Sequence, residues 1–407
     1  MNLTLPALFH DPLLIKLFAA LGADHLRYVG GCVRNAVLGT QIHDIDMATT
    51  HSPQKVIDIL AEYGIKTIPT GLQHGTVSVP FGQSVIEITT LRRDVATDGR
   101  HAVVSFEHDW AIDAARRDFT INAVYMDQNG QIFDPLGLGL HDLTHRHVRF
   151  IGDAATRIHE DHLRILRFFR FSLYYAHTLD PDGLLACEKF ARSVATLSKE
   201  RVSGEMFKII THDGCVNILK MMQNTRILPM LYARSTDWPQ ILNRLIDLQR
   251  AELQGDETQN QSKTHPAADI ILCQRIVALC GPRKCLPKNS GKILPISAHL
   301  SLSRAQSTLI KKFAKLVTSK KKWALFDFNL LRHENGEDFA RAAAMTLHAH
   351  GKIEATELQK WQNFQINDPH LTPPFKAKDY MAKGLHGAQL GKAIKSATRR
   401  WLMEYSK

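Results

Sequence analysis

At 407 residues the chain is too long for one ordinary core, and a hydrophobic content of 44% is ample for burying two or more. No apolar run approaches the roughly 18 residues of a membrane span, and the N-terminus lacks a basic segment with a small-residue cleavage site, so a membrane or secreted protein is not expected and a cytoplasmic location is. A net charge of +11 points to a polyanionic partner. The six cysteines form no CxxC pair, which fits reduced thiols and argues against structural zinc.

In chain order, Asp11-Pro12 followed by Leu13, Leu14, Leu17 and Phe18 predicts a capped amphipathic helix. Arg27-Tyr28-Val29 predicts a strand that runs into the glycine-basic turn Gly30-Gly31-Cys32-Val33-Arg34. Val33 to Leu38 then starts a helix whose N-terminus suits a triphosphate, with Arg34 adding charge. Ten residues after that turn comes His43-Asp44-Ile45-Asp46. On a strand Asp44 and Asp46 share a face, where they can hold Mg²⁺ jointly while Ile45 packs into the core. Two such ions clamp the attacking and leaving oxygens of a phosphoryl displacement, so the pairing suits nucleotidyl transfer.

Further strands are predicted at Thr76 to Val79, Val85 to Leu91 and Ala123 to Met126, and Glu87 within the second is a candidate third carboxylate for the metals. Leu91 to Ala102 reads as a charged loop. Beyond Ile151 the strands stop, and helices follow at Arg157 to Tyr175, Pro181 to Val194, Lys199 to Thr211, Gly214 to Asn224 and Pro239 to Glu252. The polar run Gly255 to Lys263 reads as a loop, and Asp368-Pro369 with Pro373-Pro374 marks a final tail. From Ile270 to Phe326 there is no Asp or Glu, while Arg275, Arg283, Lys284, Lys288, Lys292, Arg304 and Lys311 to Lys322 contribute only positive charge. Such a segment is expected to contact nucleic acid.

The ordered set Gly30-Gly31-x-x-Arg34, Asp44-x-Asp46, Arg116-Arg117-Asp118-Phe119-Thr120-Ile121-Asn122-Ala123, Glu160-Asp161-x-x-Arg164 and Leu197-Ser198-Lys199-Glu200-Arg201 resembles the class II tRNA nucleotidyltransferase and bacterial poly(A) polymerase family. The tail segment Gly384-Leu385-x-Gly387-x-x-Leu390-Gly391 is similar to the C-terminal part of these enzymes. The resemblance implies an α+β protein: a polymerase-β-like nucleotidyltransferase head with a mixed sheet (1–150), then an all-helical neck (151–225), basic body (226–367) and tail (368–407) that hold tRNA. It also implies that Arg117 and Asp118, with Asn122 of the same motif, meet the incoming nucleotide. Two positions depart from the family. Asn35 stands where Asp is usual, and His162 where Pro is usual.

Base selection is expected around Glu160. Read as one helix, this segment turns Leu166, Phe169 and Leu173 to the core and Arg164, Arg167 and Arg170 to the other side. Asp161 and Arg164 then pair at i, i+3. A carboxylate accepts the exocyclic amine of cytosine or adenine while a guanidinium donates to the adjacent ring nitrogen, and guanine and uracil present the reverse pattern. The expected activity is Mg²⁺-dependent addition of C, C and A from CTP and ATP to the tRNA 3′ end, without an obligatory protein partner. A poly(A) polymerase or A-adding enzyme is the alternative, and a non-enzymatic RNA-binding protein a remote one. A metal-dependent phosphohydrolase is disfavoured, because His212-Asp213 is the only His-Asp dipeptide in the neck and body and lacks flanking ligands. Glu200 and Arg201 are expected to brace the helix that carries Asp161.

Overall fold

The computed structural model describes residues 2–98, 101–231, 236–257, 268–286, 300–367 and 373–406. They form two compact units, one of residues 1–205 with 222–230 and one of 206–221 with 231–407.

The first unit is built on a seven-stranded mixed sheet. Its strands are β1 (Leu26–Val29), β2 (Ile45–Thr49), β3 (Ile68–Gly71), β4 (Thr76–Phe81), β5 (Ser84–Thr90), β8 (Tyr125–Met126) and β9 (Ile132–Phe133), in the order β3-β4-β5-β2-β1-β8-β9. Only β2 and β5 pair in parallel, and their register sets Asp46 beside Glu87. The helices are α1 (Pro12–Leu21), α2 (Gly31–Val37), α3 (Pro53–Glu62), α4 (Trp110–Ala115), α5 (Gly139–Thr144), α6 (Ala154–Glu160), α7 (Leu163–Tyr175), α8 (Pro181–Lys189) and α9 (Lys199–Thr211). Asp11 caps α1 as expected, accepting the Leu13 N–H at 2.8 Å.

The two faces of the sheet differ because strand side chains alternate. Tyr28, Ile45 and Met47 are buried on one face, where Phe9 and Phe18 pack edge-on against Tyr28. On the other face Val29 and Ala48 join a core with Leu91, Ala114, Ala123 and Tyr125. Asp46 shares that second face with Ala48, so the apolar packing beneath it ends in a carboxylate at the start of the strand.

Residues read as a loop, Leu91 to Ala102, instead supply a separate two-stranded antiparallel sheet, β6 (Arg92–Asp98) and β7 (His101–Phe106). Gly99 and Arg100 lie outside the described residues. The backbone pairing overrides a charged sequence that has no hydrophobic alternation to announce it.

The second unit is helical throughout its described residues. It contains the second half of α9, most of α10 (Cys215–Asn224), the last residue of α11 (Ile227–Leu231), then α12 (Trp238–Glu257), α13 (Ala268–Cys280), α14 (Arg304–Thr318), α15 (Leu325–Asn335), α16 (Glu337–Ala349), α17 (Ala355–Asn367), α18 (Ala377–Met381) and α19 (Gly387–Tyr405). The start of the polar run at Gly255 belongs to α12, and residues 258–263, like Asp368-Pro369, lie outside the described residues. Phe328, Ala344, Leu347 and Trp361 form its core. Arg275, read as part of a nucleic-acid-facing run, is instead buried: its Nη1 donates to the carbonyls of Ile210 and Thr211, its Nη2 to Asp213 at 2.6 Å and its Nε to Gln249. Lys288 and Lys292 lie outside the described residues. No described helix is long and apolar enough to cross a membrane.

Candidate active site

Gly30 ends β1 with φ +69, a left-handed backbone that favours glycine, and α2 begins at Gly31 instead of Val33. The turn is anchored beneath by the Cys32 thiol, which donates to the carbonyls of Val29 and Asp46 at 3.3 and 3.4 Å. Asp46 is the second residue of β2, and Asp44 is exposed immediately before that strand. Burial and the neighbouring Glu87 carboxylate push Asp46 up to about 6, against the opposing pull of Arg117. Glu87 itself is exposed and does not line the cleft. Among the described residues no three acidic, His or Cys side chains gather into a metal-holding group.

These carboxylates open on a cleft of about 590 Å³, within the ~300–1,000 Å³ usual for small-molecule sites. Gly30, Gly31, Arg34, Asp44, Asp46, Arg117, Asp118, Asn122, Asp161, Arg164, Arg167 and Arg170 all line it. The residues singled out in the sequence, Glu87 apart, are thus brought together from α2, β2, the short 3-10 turn Thr120–Asn122, α7 and the turns between elements. Arg92, Arg116 and Phe171 line it too and were not anticipated.

Most of the guanidiniums are held by carboxylates. Asp113 on α4 binds Arg116 at 2.7 Å and Arg117 at 2.9 Å and accepts the Tyr125 hydroxyl at 2.7 Å. Burial opposes its ionisation, but the two arginines and that hydroxyl outweigh it and hold Asp113 well below the usual carboxylate range. Asp118 is buried with Oδ1 on the Phe119 N–H and Asn122 and Oδ2 on Arg167 at 2.6 Å, and these partners likewise overcome burial and lower it. Glu205 on α9 binds Arg170 closely and lies 3.7 Å from Arg167. Asp113 and Glu205 were invisible as site residues, since their only sequence signal is an Asp three and four residues before an Arg pair and a Glu on an amphipathic helix.

The selecting segment departs from a single helix. α6 ends at Glu160, Asp161 is extended (φ −153, ψ 106), and α7 starts at Leu163 after Asp161 Oδ1 accepts the Leu163 N–H at 3.0 Å. That local capping bond competes with helix continuation. The break also separates the expected pair. Asp161 Oδ2 meets Arg201 at 2.7 Å, whereas Arg164 Nη1 donates to Glu160 at 2.6 Å and to the Arg157 carbonyl, and Nη2 to the Arg116 carbonyl. Arg201 therefore does brace Asp161, by a direct ion pair.

With this geometry in view, residues 26–149 match the model of the poly A polymerase head domain, and residues 178–234 that of the probable RNA and SrmB-binding site of polymerase A. The first of these matches makes residues 26–149 similar to a poly A polymerase head domain. Curated relatives are similar over about half of the chain. The chain is 40% identical over 223 residues to the mouse (Mus musculus) mitochondrial CCA tRNA nucleotidyltransferase 1, covering 53% of this chain and 50% of that one. It is 43% identical over 184 residues to the CCA-adding enzyme of Oceanobacillus iheyensis, covering 45% of each. The chain spans about half the length of the curated relatives it matches. In fold it is similar to the Bacillus stearothermophilus CCA-adding enzyme in complex with CTP, with a TM-score of 0.69 and 24% identity over 97% of this chain and 98% of that one. It is also similar to a tRNA nucleotidyltransferase complexed with a primer tRNA and an incoming ATP analogue, with a TM-score of 0.61 and 20% identity over 84% and 95%. The α+β architecture, a mixed-sheet polymerase head followed by helices, is the one the motifs implied.

Proposed function

We propose that this protein is a template-independent tRNA nucleotidyltransferase that adds C, C and A in turn to the tRNA 3′ end from CTP and ATP. The observation that carries this reading is that the groups able to select a base, Asp161 and Arg164, share one cleft with Asp44 and Asp46. In the family reading, 1–150 is the catalytic head, 151–225 the selecting neck, and 226–367 and 368–407 the tRNA-holding body and tail.

The donor set fits a hard divalent cation. Two carboxylates suffice for Mg²⁺ that keeps phosphate oxygens and waters as its other ligands, and the proton affinity of Asp46, raised first by burial and then by the neighbouring Glu87, marks a carboxylate whose charge a cation would compensate. Asp44 and Asp46 would hold it, with Glu87 acting on Asp46 from the next strand. Bound Mg²⁺ supplies Lewis-acid stabilisation of the attacking and leaving oxygens. The terminal tRNA hydroxyl attacks the α-phosphate and pyrophosphate leaves. Arg34 and Arg117 offset charge on the phosphates, and Asp118, oriented by Asn122 and Arg167, offers the remaining carboxylate lone pairs to the ribose. Asp161 accepts the exocyclic amine of C or A. Among the described residues Arg164 Nε and one Nη2 hydrogen have no protein acceptor, which leaves them for the ring nitrogen. The β6–β7 hairpin, joined to the site through Arg92, is the element whose movement would admit adenine after two cytosines.

Purified protein given tRNA lacking CCA and single labelled nucleotides should incorporate C with CTP alone and complete CCA only with both. Unlimited A tracts on arbitrary RNA would instead establish the poly(A) polymerase reading that the head family also admits, and no incorporation at all would overturn both.

A further inference from the structure

Arg34 stands apart from its neighbours in the cleft. Arg116, Arg117, Arg164, Arg167 and Arg170 each lie within ion-pair distance of a carboxylate. Arg34 has none among the described residues, although it is 7% exposed. Its guanidinium is satisfied by neutral oxygens: Nη1 donates to Asn122 Oδ1 at 2.6 Å, Nη2 to the Tyr175 hydroxyl at 2.8 Å and Nε to Asn35 Oδ1 at 3.2 Å. The Tyr175 ring lies 4.1 Å from the guanidinium carbon and so supports its plane. Tyr175 also donates to Asn35 Oδ1 at 3.4 Å, and Asn35 Nδ2 donates to the Gln41 carbonyl at 2.7 Å. Because a carbonyl only accepts, that last bond fixes which way the Asn35 amide points.

A buried cation held only by dipoles retains its full charge toward an incoming anion, whereas one already paired with a carboxylate does not. We propose that Tyr175, from the far end of α7, is a positioning residue that orients the Arg34 guanidinium toward the triphosphate, and that Asn35 keeps that guanidinium's charge uncompensated. This rests on the nucleotidyltransferase reading for the identity of the anion, but the device itself needs only a polyphosphate. An Asp in place of Asn35 would set a carboxylate on Nε and lose the donor to Gln41.

The test measures binding of inorganic tripolyphosphate by calorimetry in EDTA, together with KM and kcat for CTP on tRNA lacking CCA. Tyr175→Phe, which keeps the ring and removes the hydroxyl, should weaken tripolyphosphate about fivefold and raise the CTP KM to match, with kcat within twofold and the C-over-U preference unchanged. Asn35→Asp should act in the same direction by about tenfold. Unchanged binding and KM in both variants, or a fall in kcat or in melting temperature without a change in tripolyphosphate affinity, would overturn the proposal in favour of a purely structural role. If the wild type incorporates no nucleotide, the function reading fails, and the tripolyphosphate arm still decides the positioning role by the same two outcomes.

Discussion

Positive charge is handled in opposite ways in the cleft of the first unit and around α14 of the second. In the first unit most of the cleft arginines are fixed by buried or half-buried carboxylates, Asp113, Asp118 and Glu205 among them. On α14 and the segment after it, Lys315, Lys320 and Lys322 are exposed on flexible stems. A planar guanidinium held at both ends reads shape, while a solvated ammonium reads only charge. On the proposed function, the cleft suits one small ligand in one pose and the lysine surface a long polyanion bound in a salt-dependent way.

The largest expected effect breaks the head's chemistry without breaking its frame. Asp46→Asn should lower nucleotide incorporation at least a thousandfold, while the melting temperature rises by a few degrees. The sign follows from linkage: an acid raised to about 6 from an ordinary value near 3.8 contributes stability at low pH, loses it as pH rises from about 3.8 through 6, and is a cost of up to about 3 kcal/mol above that. By the same reasoning protons compete with the cation, so the Mg²⁺ concentration for half-maximal rate should climb as pH falls below about 6. A rate profile at fixed low Mg²⁺ that stays flat to pH 5 would remove Asp46 from the metal site.

Asp113→Asn should do the reverse, breaking the frame. Leaving two guanidiniums without their carboxylate should cost about 3–5 kcal/mol of stability, read by urea unfolding, and the loss should be smaller in Asp118→Asn, where Asn122 and one arginine are affected. Equal small losses would mean that the arginine wall is not electrostatically fixed.

Next in size, Asp161→Ala should relax discrimination against UTP and GTP by roughly 1–3 kcal/mol, measured by competition for incorporation. A uniform slowing with all four nucleotides would assign Asp161 to the Arg201 ion pair alone. The smallest effect lies in the second unit: changing Lys315, Lys320 and Lys322 to Ala should weaken tRNA several-fold and flatten its salt dependence by up to about 0.7–0.9 per lost phosphate contact, with the CTP KM unchanged.

What could be read from the sequence was what neighbours in sequence decide. The Asp11 cap, the β1 strand and the full extent of α9 at Lys199–Thr211 follow from periodicity and terminal residues alone. Most cleft-lining residues were also legible, because their motifs are short and ordered. The Asp161–Arg164 pairing was not, since it assumed a continuous helix, and a single bond from Asp161 to the Leu163 N–H breaks that helix. Nor was the support of Arg34, whose partner Tyr175 lies 141 residues away. Periodicity finds faces and ends, but a hydrogen bond across such a distance leaves no local trace.

Cys32 turns the head into its own reporter. Its thiol is 1% exposed beneath the glycine turn, and burial pushes it up to about 11. A thiol reagent in solution therefore reacts with it only in those moments when the turn lifts away from β2. The alkylation rate at Cys32, read by peptide mass spectrometry, measures the opening equilibrium of the turn on which Gly30 and Arg34 sit. Any ligand that seats there will slow that rate in proportion to its occupancy, so binding can be followed without a label, a primer or turnover.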